Sequence, residues 1–312
     1  MDARNNEVTG LLRSSARVIG ATRPWSFTMT VVSVALGTLA AGASGDIDWW
    51  LALATLAGTL CLHAATNLGN DYFDFRSGID APGAPSVRGR RHPLVEHTLL
   101  PGQVLAGAIG FWCAAALIAI ALSLTRGWAL GALTAIGILA GLFYSAGPVR
   151  LKGRALGELT AFLMWGPLMV LGAFSVQRST FAGSRHALLV SIIQGLWVAQ
   201  VLLVNNIRDV EADAKLGIHT PATLLGKIPA IALAAALTAG AYVLDGAAVL
   251  AGAMRPWALL VFLSAPLAVL LLRSLASPAG VAPNAPAVAA RTAMVFGVLL
   301  VASLAVGGIA PG

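Results

Sequence analysis

The sequence predicts an all-α integral membrane protein: a nine-transmembrane-helix bundle around a central cavity, organised as two four-helix pseudo-repeats plus one helix. Three observations predict it. Of 312 residues, 58% are hydrophobic and 11% charged, with mean hydropathy +0.82, whereas a soluble domain carries about 25% charged residues. Nine apolar stretches approach the roughly 20 residues that a bilayer-crossing helix needs. They are long and show no period-two alternation, which argues against strands. The basic residues also sort by side, sixteen against four, the asymmetry by which cytoplasmic loops are recognised.

Taken in order, a polar tail (residues 1–25) has no cleavable signal pattern, and its Arg4, Arg13, Arg17 and Arg23 assign it to the cytoplasm. The first span is 26–44. The second, 49–69, opens on Trp49-Trp50, an interfacial pair. It runs into Asn67-Leu68-Gly69-Asn70-Asp71-Tyr72-Phe73-Asp74 and on to Asp80. Residues 75–101 are rich in Pro, Gly and Arg and lack a helical period, as expected of a functional loop or lid. Arg88, Arg90 and Arg91 there either meet phosphate or hold this side in the cytoplasm by charge. Spans three and four, 103–124 and 128–146, flank Arg126 and Trp128. The loop after span four holds Tyr144, Arg150, Lys152 and Arg154. Span five, 157–176, starts beside Glu158, where a carboxylate suits the helix dipole. Span six, 187–206, runs into Asn205-Asn206-Ile207-Arg208-Asp209-Val210-Glu211-Ala212-Asp213. Spans seven and eight, 229–250 and 256–273, are less clearly cut, because Asp245-Gly246 interrupts the region and predicts a helix-end, interfacial Asp245. Span nine is 289–310. Nine crossings put the N-terminus in the cytoplasm and the C-terminus outside, in a multi-pass protein of the cell (inner or plasma) membrane.

Composition also narrows function. Cys61 and Cys113 lie inside apolar stretches, so no disulfide framework is expected. A net charge of +7 in so apolar a chain reflects topology and anionic headgroups, with no nucleic-acid partner expected.

The two acidic segments hold six of the thirteen acidic residues. A carboxylate in a membrane span is costly, about 2.5–3.5 kcal/mol at the centre, so clusters of them point to use. Both follow apolar helices, both pair asparagine with spaced aspartates, and both end on the cytoplasmic side, four spans apart. On a helix, residues three and four apart share a face, so Asn67, Asn70, Asp71 and Asp74 are expected to point one way, and Asn205, Asp209 and Asp213 form a second stripe. Such hard oxygen donors suit Mg²⁺, which commonly brings a phosphate. Two facing stripes can clamp a diphosphate, with Asn70, Asp71, Asp74, Asp209 and Asp213 as metal ligands. Helix capping by Asn and Asp is the bland alternative. Arg150 and Lys152, with Arg208 and Lys215, are candidate diphosphate contacts, the alternative being anionic lipid. Tyr144 either shields a carbocation through its ring face or belongs to the interfacial aromatic belt. His63, two turns before Asp71, either lines the substrate pocket with Asn67 or is a buried histidine bonded to a neighbouring helix.

With these motifs in view, the chain resembles the UbiA superfamily of membrane prenyltransferases. The resemblance rests on the nine spans, NDYFDFRSGID (70–80), YSAGP (144–148), LGE (156–158), NNIRDVEADAKLG (205–217) and the opening Arg23-Pro24. It implies a single transmembrane prenyltransferase domain over 26–312. It also implies transfer of a polyprenyl group from polyprenyl diphosphate to an aromatic acceptor, with Mg²⁺ as cofactor and membrane lipid around the tail. Asp71 and Asp209 with Tyr144 would be catalytic. Within the superfamily the chain is most like the 1,4-dihydroxy-2-naphthoate polyprenyltransferases of menaquinone synthesis. It departs at Pro148, where related enzymes commonly carry a lysine, so Lys152 or Arg150 would take over that work. Ala214, the run Ile218-His219-Thr220 and the stretch Arg91-His92-Pro93-Leu94 depart as well. Other readings are a different acceptor, such as 4-hydroxybenzoate or a specialised metabolite, and a non-catalytic lipid or ion transporter. Charge clustered at one face disfavours the transporter.

Overall fold

The computed structural model describes residues 16–84, 87, 91–277 and 280–307. Arg4, Arg13, Arg88 and Arg90 lie outside the described residues. Nine helices in it are long and apolar enough to cross a membrane: α1 (Pro24–Gly42), α2 (Trp49–Arg76), α3 (Pro101–Arg126), α4 (Trp128–Ser145), α5 (Gly157–Arg178), α6 (Arg185–Lys215), α7 (Lys227–Leu250), α8 (Pro256–Leu275) and α9 (Ala285–Ala305). Prolines open α3 and α8 at their first turns, where a missing N–H is harmless. The belt tryptophans Trp49, Trp50, Trp128 and Trp257 are exposed.

Two helices outrun their predicted spans. α2 continues seven residues beyond 69 and α6 nine beyond 206, and at 28 and 31 residues they are the longest. Both acidic segments therefore ride on rigid helix. Between them α5 bends. Met164–Leu168 is a π-helical turn with a non-helical Gly166 before Pro167, a combination that kinks a helix. A Cβ on Gly166 would meet Ser191 O at 2.6 Å, and one on Gly195 would meet Phe162 O at 2.8 Å. The kink thus lets α5 and α6 approach backbone to backbone. The Trp165 carbonyl at the kink accepts a hydrogen bond from Ser33 Oγ at 2.6 Å, so the bend leaves it satisfied within the bundle, as an apolar solvent requires.

Packing relies on small residues, as expected where lipid removes the hydrophobic drive between helices. α7 buries Ala230, Ala234, Thr238, Ala241, Asp245 and Ala248, one stripe at helical spacing. Asp245 therefore sits inside the helix and is fully buried, correcting its expected place at a helix end. Its face is fixed by Ala241 and Ala248, and the helix continues through Gly246. Neither carboxylate oxygen finds a hydrogen-bond partner among the described residues. The main core joins Leu36, Phe174, Trp197, Val261 and Phe296 from α1, α5, α6, α8 and α9. A smaller one packs Leu94 and Leu99 of the α2–α3 loop against Leu68 and Val104, so this part of the predicted lid is anchored.

Candidate active site

A cavity of about 360 Å³ opens between α1, α2, α4, α5 and α6. Its polar end is built by the two long helices. Asn70 and Asp74 enter from α2, and Asn205, Arg208 and Asp209 from α6. Lys152 reaches in from a short 3₁₀ turn, Leu151–Gly153, that follows Arg150 in the left-handed region at φ 42°. Its ammonium bonds Asp74 Oδ2 and donates to Asn70 Oδ1 at 3.2 Å. Asp74 is 4% exposed, and its Oδ1 finds no hydrogen-bond partner among the described residues. On α6, Arg208 grips Asp209 as a fork, Nε to Oδ1 and Nη2 to Oδ2 at 2.6 Å each, the bidentate geometry that guanidinium favours.

Asp71 departs from expectation. It is fully buried and pairs with Arg23, and it is absent from the cavity wall. The four α2 residues cover a wedge of roughly 100° at 3.6 residues per turn. Asn70 and Asp74 take the edge facing Lys152, and Asp71 takes the edge facing Arg23. Burial opposes the Arg23 charge, but Asp71, Asp80 and Asp74 outweigh it and hold the guanidinium above its ordinary pKa. Arg23 adopts φ 59°, a left-handed conformation rare outside glycine and common at functional sites. Asp80 lines the cavity.

The other candidates divide. Tyr144, Asn67 and His63 all line the cavity. His63 is also the buried, bonded histidine. Its Nδ1 meets Thr30 Oγ1 at 2.8 Å and its Nε2 meets Ser26 Oγ at 3.2 Å, with the Trp165 ring 4.9 Å away. Asn67 donates to Thr22 O and Ser26 Oγ. Asn206 turns from the cavity to donate to Glu158 at 2.8 Å. Asp213 stands one turn beyond Asp209, outside the lining but within electrostatic reach of Asp209 and Lys152. Two expected diphosphate contacts, Arg150 and Lys215, stand outside the lining of this cavity. Arg150 points to Ser77 Oγ at 3.4 Å in an adjoining cleft. Lys215 is exposed, because six residues past Asp209 is roughly 120° round the helix. Sequence reasoning missed Ser26 and Trp165 as wall residues. The Gly166-Pro167 break beside Trp165 was the available signal.

The wall then turns apolar. Met164, on the kink, borders both this cavity and a second chamber lined by Thr55, Leu62, Ile118, Leu133, Gly137 and Gly172 from α2–α5. At the polar end, Asn70, Asp74, Asp80, Asn205 and Asp209 offer only oxygen ligand atoms of a hard-cation type. The Lys152 ammonium already occupies a cation's place on Asn70 and Asp74. The donor set therefore fits Mg²⁺. Two cations held on carboxylates at one end of a cavity whose remaining wall is largely apolar can bind a molecule with an anionic head and an apolar tail.

The model of the UbiA prenyltransferase family matches residues 30–294. The 1,4-dihydroxy-2-naphthoate octaprenyltransferase of Bacillus subtilis is 34% identical over 245 residues, 78% of this chain and 77% of that protein. UbiA prenyltransferase domain-containing protein 1 of Mus musculus is 36% identical over 218 residues; the match takes in 68% of this chain and 62% of that protein's length. Among solved structures, a UbiA homolog from Aeropyrum pernix K1 superposes with TM-score 0.69 at 20% identity, covering 88% of this chain and 97% of that one. A UbiA homolog from Archaeoglobus fulgidus bound to GPP and Mg²⁺ superposes with TM-score 0.64 at 16% identity, covering 92% and 99%.

Proposed function

This chain belongs to the UbiA prenyltransferase family and is a membrane prenyltransferase; we propose that it moves a polyprenyl group from polyprenyl diphosphate to 1,4-dihydroxy-2-naphthoate, with Mg²⁺, on the cytoplasmic side of a cell membrane. The observation that carries the reading is the pairing of two acidic helix ends across one cavity, each already holding a cation, Lys152 on Asp74 and Arg208 on Asp209. The likeness to the Bacillus enzyme supports the acceptor.

Asn70, Asp74 and Asp209 would hold the metal, with Asp213 a turn further out. The chemistry a bound Mg²⁺ supplies there is neutralisation of charge on the leaving diphosphate. Lys152 and Arg208, released from their carboxylates, contact diphosphate oxygens; Arg150 and Lys215 have no part in this. The C–O bond from prenyl C1 to diphosphate breaks with both electrons leaving on oxygen. Tyr144 and the Trp165 wall face the allylic cation so formed, as aromatic faces suit a cation. An aromatic carbon of the acceptor forms the new C–C bond, and its proton or carboxyl group departs to restore the ring. His63, fixed by Thr30 and Ser26, orients the wall and excludes water. The apolar chamber beyond Met164 takes the prenyl tail.

The test is purified protein in nanodiscs with a polyprenyl diphosphate, Mg²⁺ and a panel of acceptors. Prenylated naphthoate that disappears with chelator is the expected product. Turnover of 4-hydroxybenzoate alone would replace the acceptor, and absence of any product would end the reading.

A further inference from the structure

Asp71, Asp80 and His92 lie within 4.8 Å of one another through potential ligand atoms, all three buried. That grouping looks like a second metal site, but the hydrogen bonds around His92 say otherwise. The backbone N–H groups of Leu94 and Val95 both donate to His92 Nδ1, at 3.3 Å. An N–H cannot accept them, so Nδ1 carries the lone pair. In a neutral ring the proton is then on Nε2. Nε2 lies 3.0 Å from Asp80 Oδ2 and 3.7 Å from Asp71 Oδ1, so the N–H is given to Asp80. Both ring nitrogens are committed, and neither has a lone pair to offer a metal.

The surroundings show what the bond holds. The chain leaves α2, turns back through Ile79 N–H and Asp80 N–H onto Asp74 O, and places Asp80 on the cavity wall. It returns at His92, twelve residues on. Just beyond, Leu94 and Leu99 are buried against Leu68 of α2 and Val104 of α3. His92 is thus seated from behind by an apolar plug and by its own backbone, and it pushes one N–H at Asp80. On the far side, Arg23 holds Asp71.

We propose that His92 is a positioning residue for Asp80, closing the base of the α2–α3 loop as a hydrogen-bond donor and setting the Asp80 carboxylate towards the diphosphate end of the cavity. A partner behind a carboxylate of this kind typically shifts metal affinity or activity by about 10–100-fold when removed. This inference rests on the transferase reading for its kinetic arm only.

The direct arm is ¹⁵N NMR of histidine-labelled full-length protein. The expected spectrum shows His92 as the Nε2–H tautomer, unmoved when Mg²⁺ is added. An Nδ1–H tautomer, or an Nε2 resonance displaced by the metal, would overturn the proposal. In the kinetic arm, His92→Phe raises the half-saturating Mg²⁺ about tenfold, more than it lowers kcat. His92→Gln, which restores an N–H near the Nε2 position, recovers most of that loss. The double variant His92→Phe with Asp80→Asn loses no more than the worse single one, as coupled residues do. Additive losses, or no rescue by glutamine, would overturn it. If His92→Phe does not fold, the tautomer of the unaltered protein decides. If the unaltered protein transfers no prenyl group, the transferase reading falls while the tautomer measurement still tests His92.

Discussion

The two acidic helix ends look alike in sequence and are built differently. The α6 end is neutralised locally, since Arg208 grips the aspartate next to it while Lys215 is exposed. The α2 end is closed by distant parts of the chain: Arg23 from before α1 and Lys152 from the α4–α5 loop supply the charge, and His92 from the α2–α3 loop donates a hydrogen bond to Asp80. A motif closed by its own neighbours can form as soon as its helix does. A motif closed from three directions forms only with the tertiary fold. The α2 end should therefore be the place where function and stability are coupled, and the α6 end the place where function can be altered alone.

The largest expected effect tests whether the halves are equal in chemistry. Asp74→Asn and Asp209→Asn should each lower kcat on the order of 10²–10³-fold, the scale of a lost charge-stabilising contact, in an assay of radiolabelled prenyl transfer. A silent Asp209→Asn would make the α6 end structural. Next comes the asymmetry itself. Arg23→Ala should destabilise the protein by about 3 kcal/mol, because Asp71 stays buried without its cation; Arg208→Ala, on a partly exposed pair, should cost far less. Thermal melts of both in detergent decide this. Lys152→Ala should raise KM for the diphosphate by roughly tenfold, consistent with a lost charge-assisted contact, while Arg150→Ala stays near parent values. Equal effects would mean that the adjoining cleft takes part in binding.

Smaller changes sharpen the contrast between the polar end and the apolar chamber. A Cβ on Gly172 meets no atom within 4 Å, so Gly172→Leu should fold and fill the chamber. It should lower turnover of long relative to short prenyl diphosphates by about tenfold, whereas Leu139→Phe, on the exposed side of α4, should leave the ratio unchanged. The smallest effect is expected at Asp245. Replacing an unpartnered buried carboxylate by leucine should raise stability by about 1 kcal/mol, with no change in activity.

Much of this was legible in the sequence. Hydropathy reports transfer into lipid one residue at a time, so the nine spans stand within a few residues of their predicted ends. The larger differences are α2 and α6, where the motif residues are polar but still helical and hydropathy stops before the helix does. Helical spacing brought Asn70 and Asp74 together, because both follow from 3.6 residues per turn. It could not divide Asp71 from them, since the side of the wedge each takes is set by Arg23 and Lys152, which are 48 and 78 residues away from their partners. His92 gave no local sign at all. Its role arises from Asp80 and from two buried leucines in a segment that reads as irregular. Asp245 reads as a helix end only if Gly246 is a break, whereas the alanine stripe of α7 runs straight through it.

Lys152 borders two spaces at once, the main cavity and the adjoining cleft with Arg150 and Arg154. A polyanion leaving on that side would step from one positive group to the next without crossing an apolar layer. The lysine standing on the threshold is also the group that bonds Asp74 and Asn70. On the proposed transferase reading, entry and departure of the charged head would then depend on the swing of one flexible four-carbon stem, and the pace of the cycle on its length.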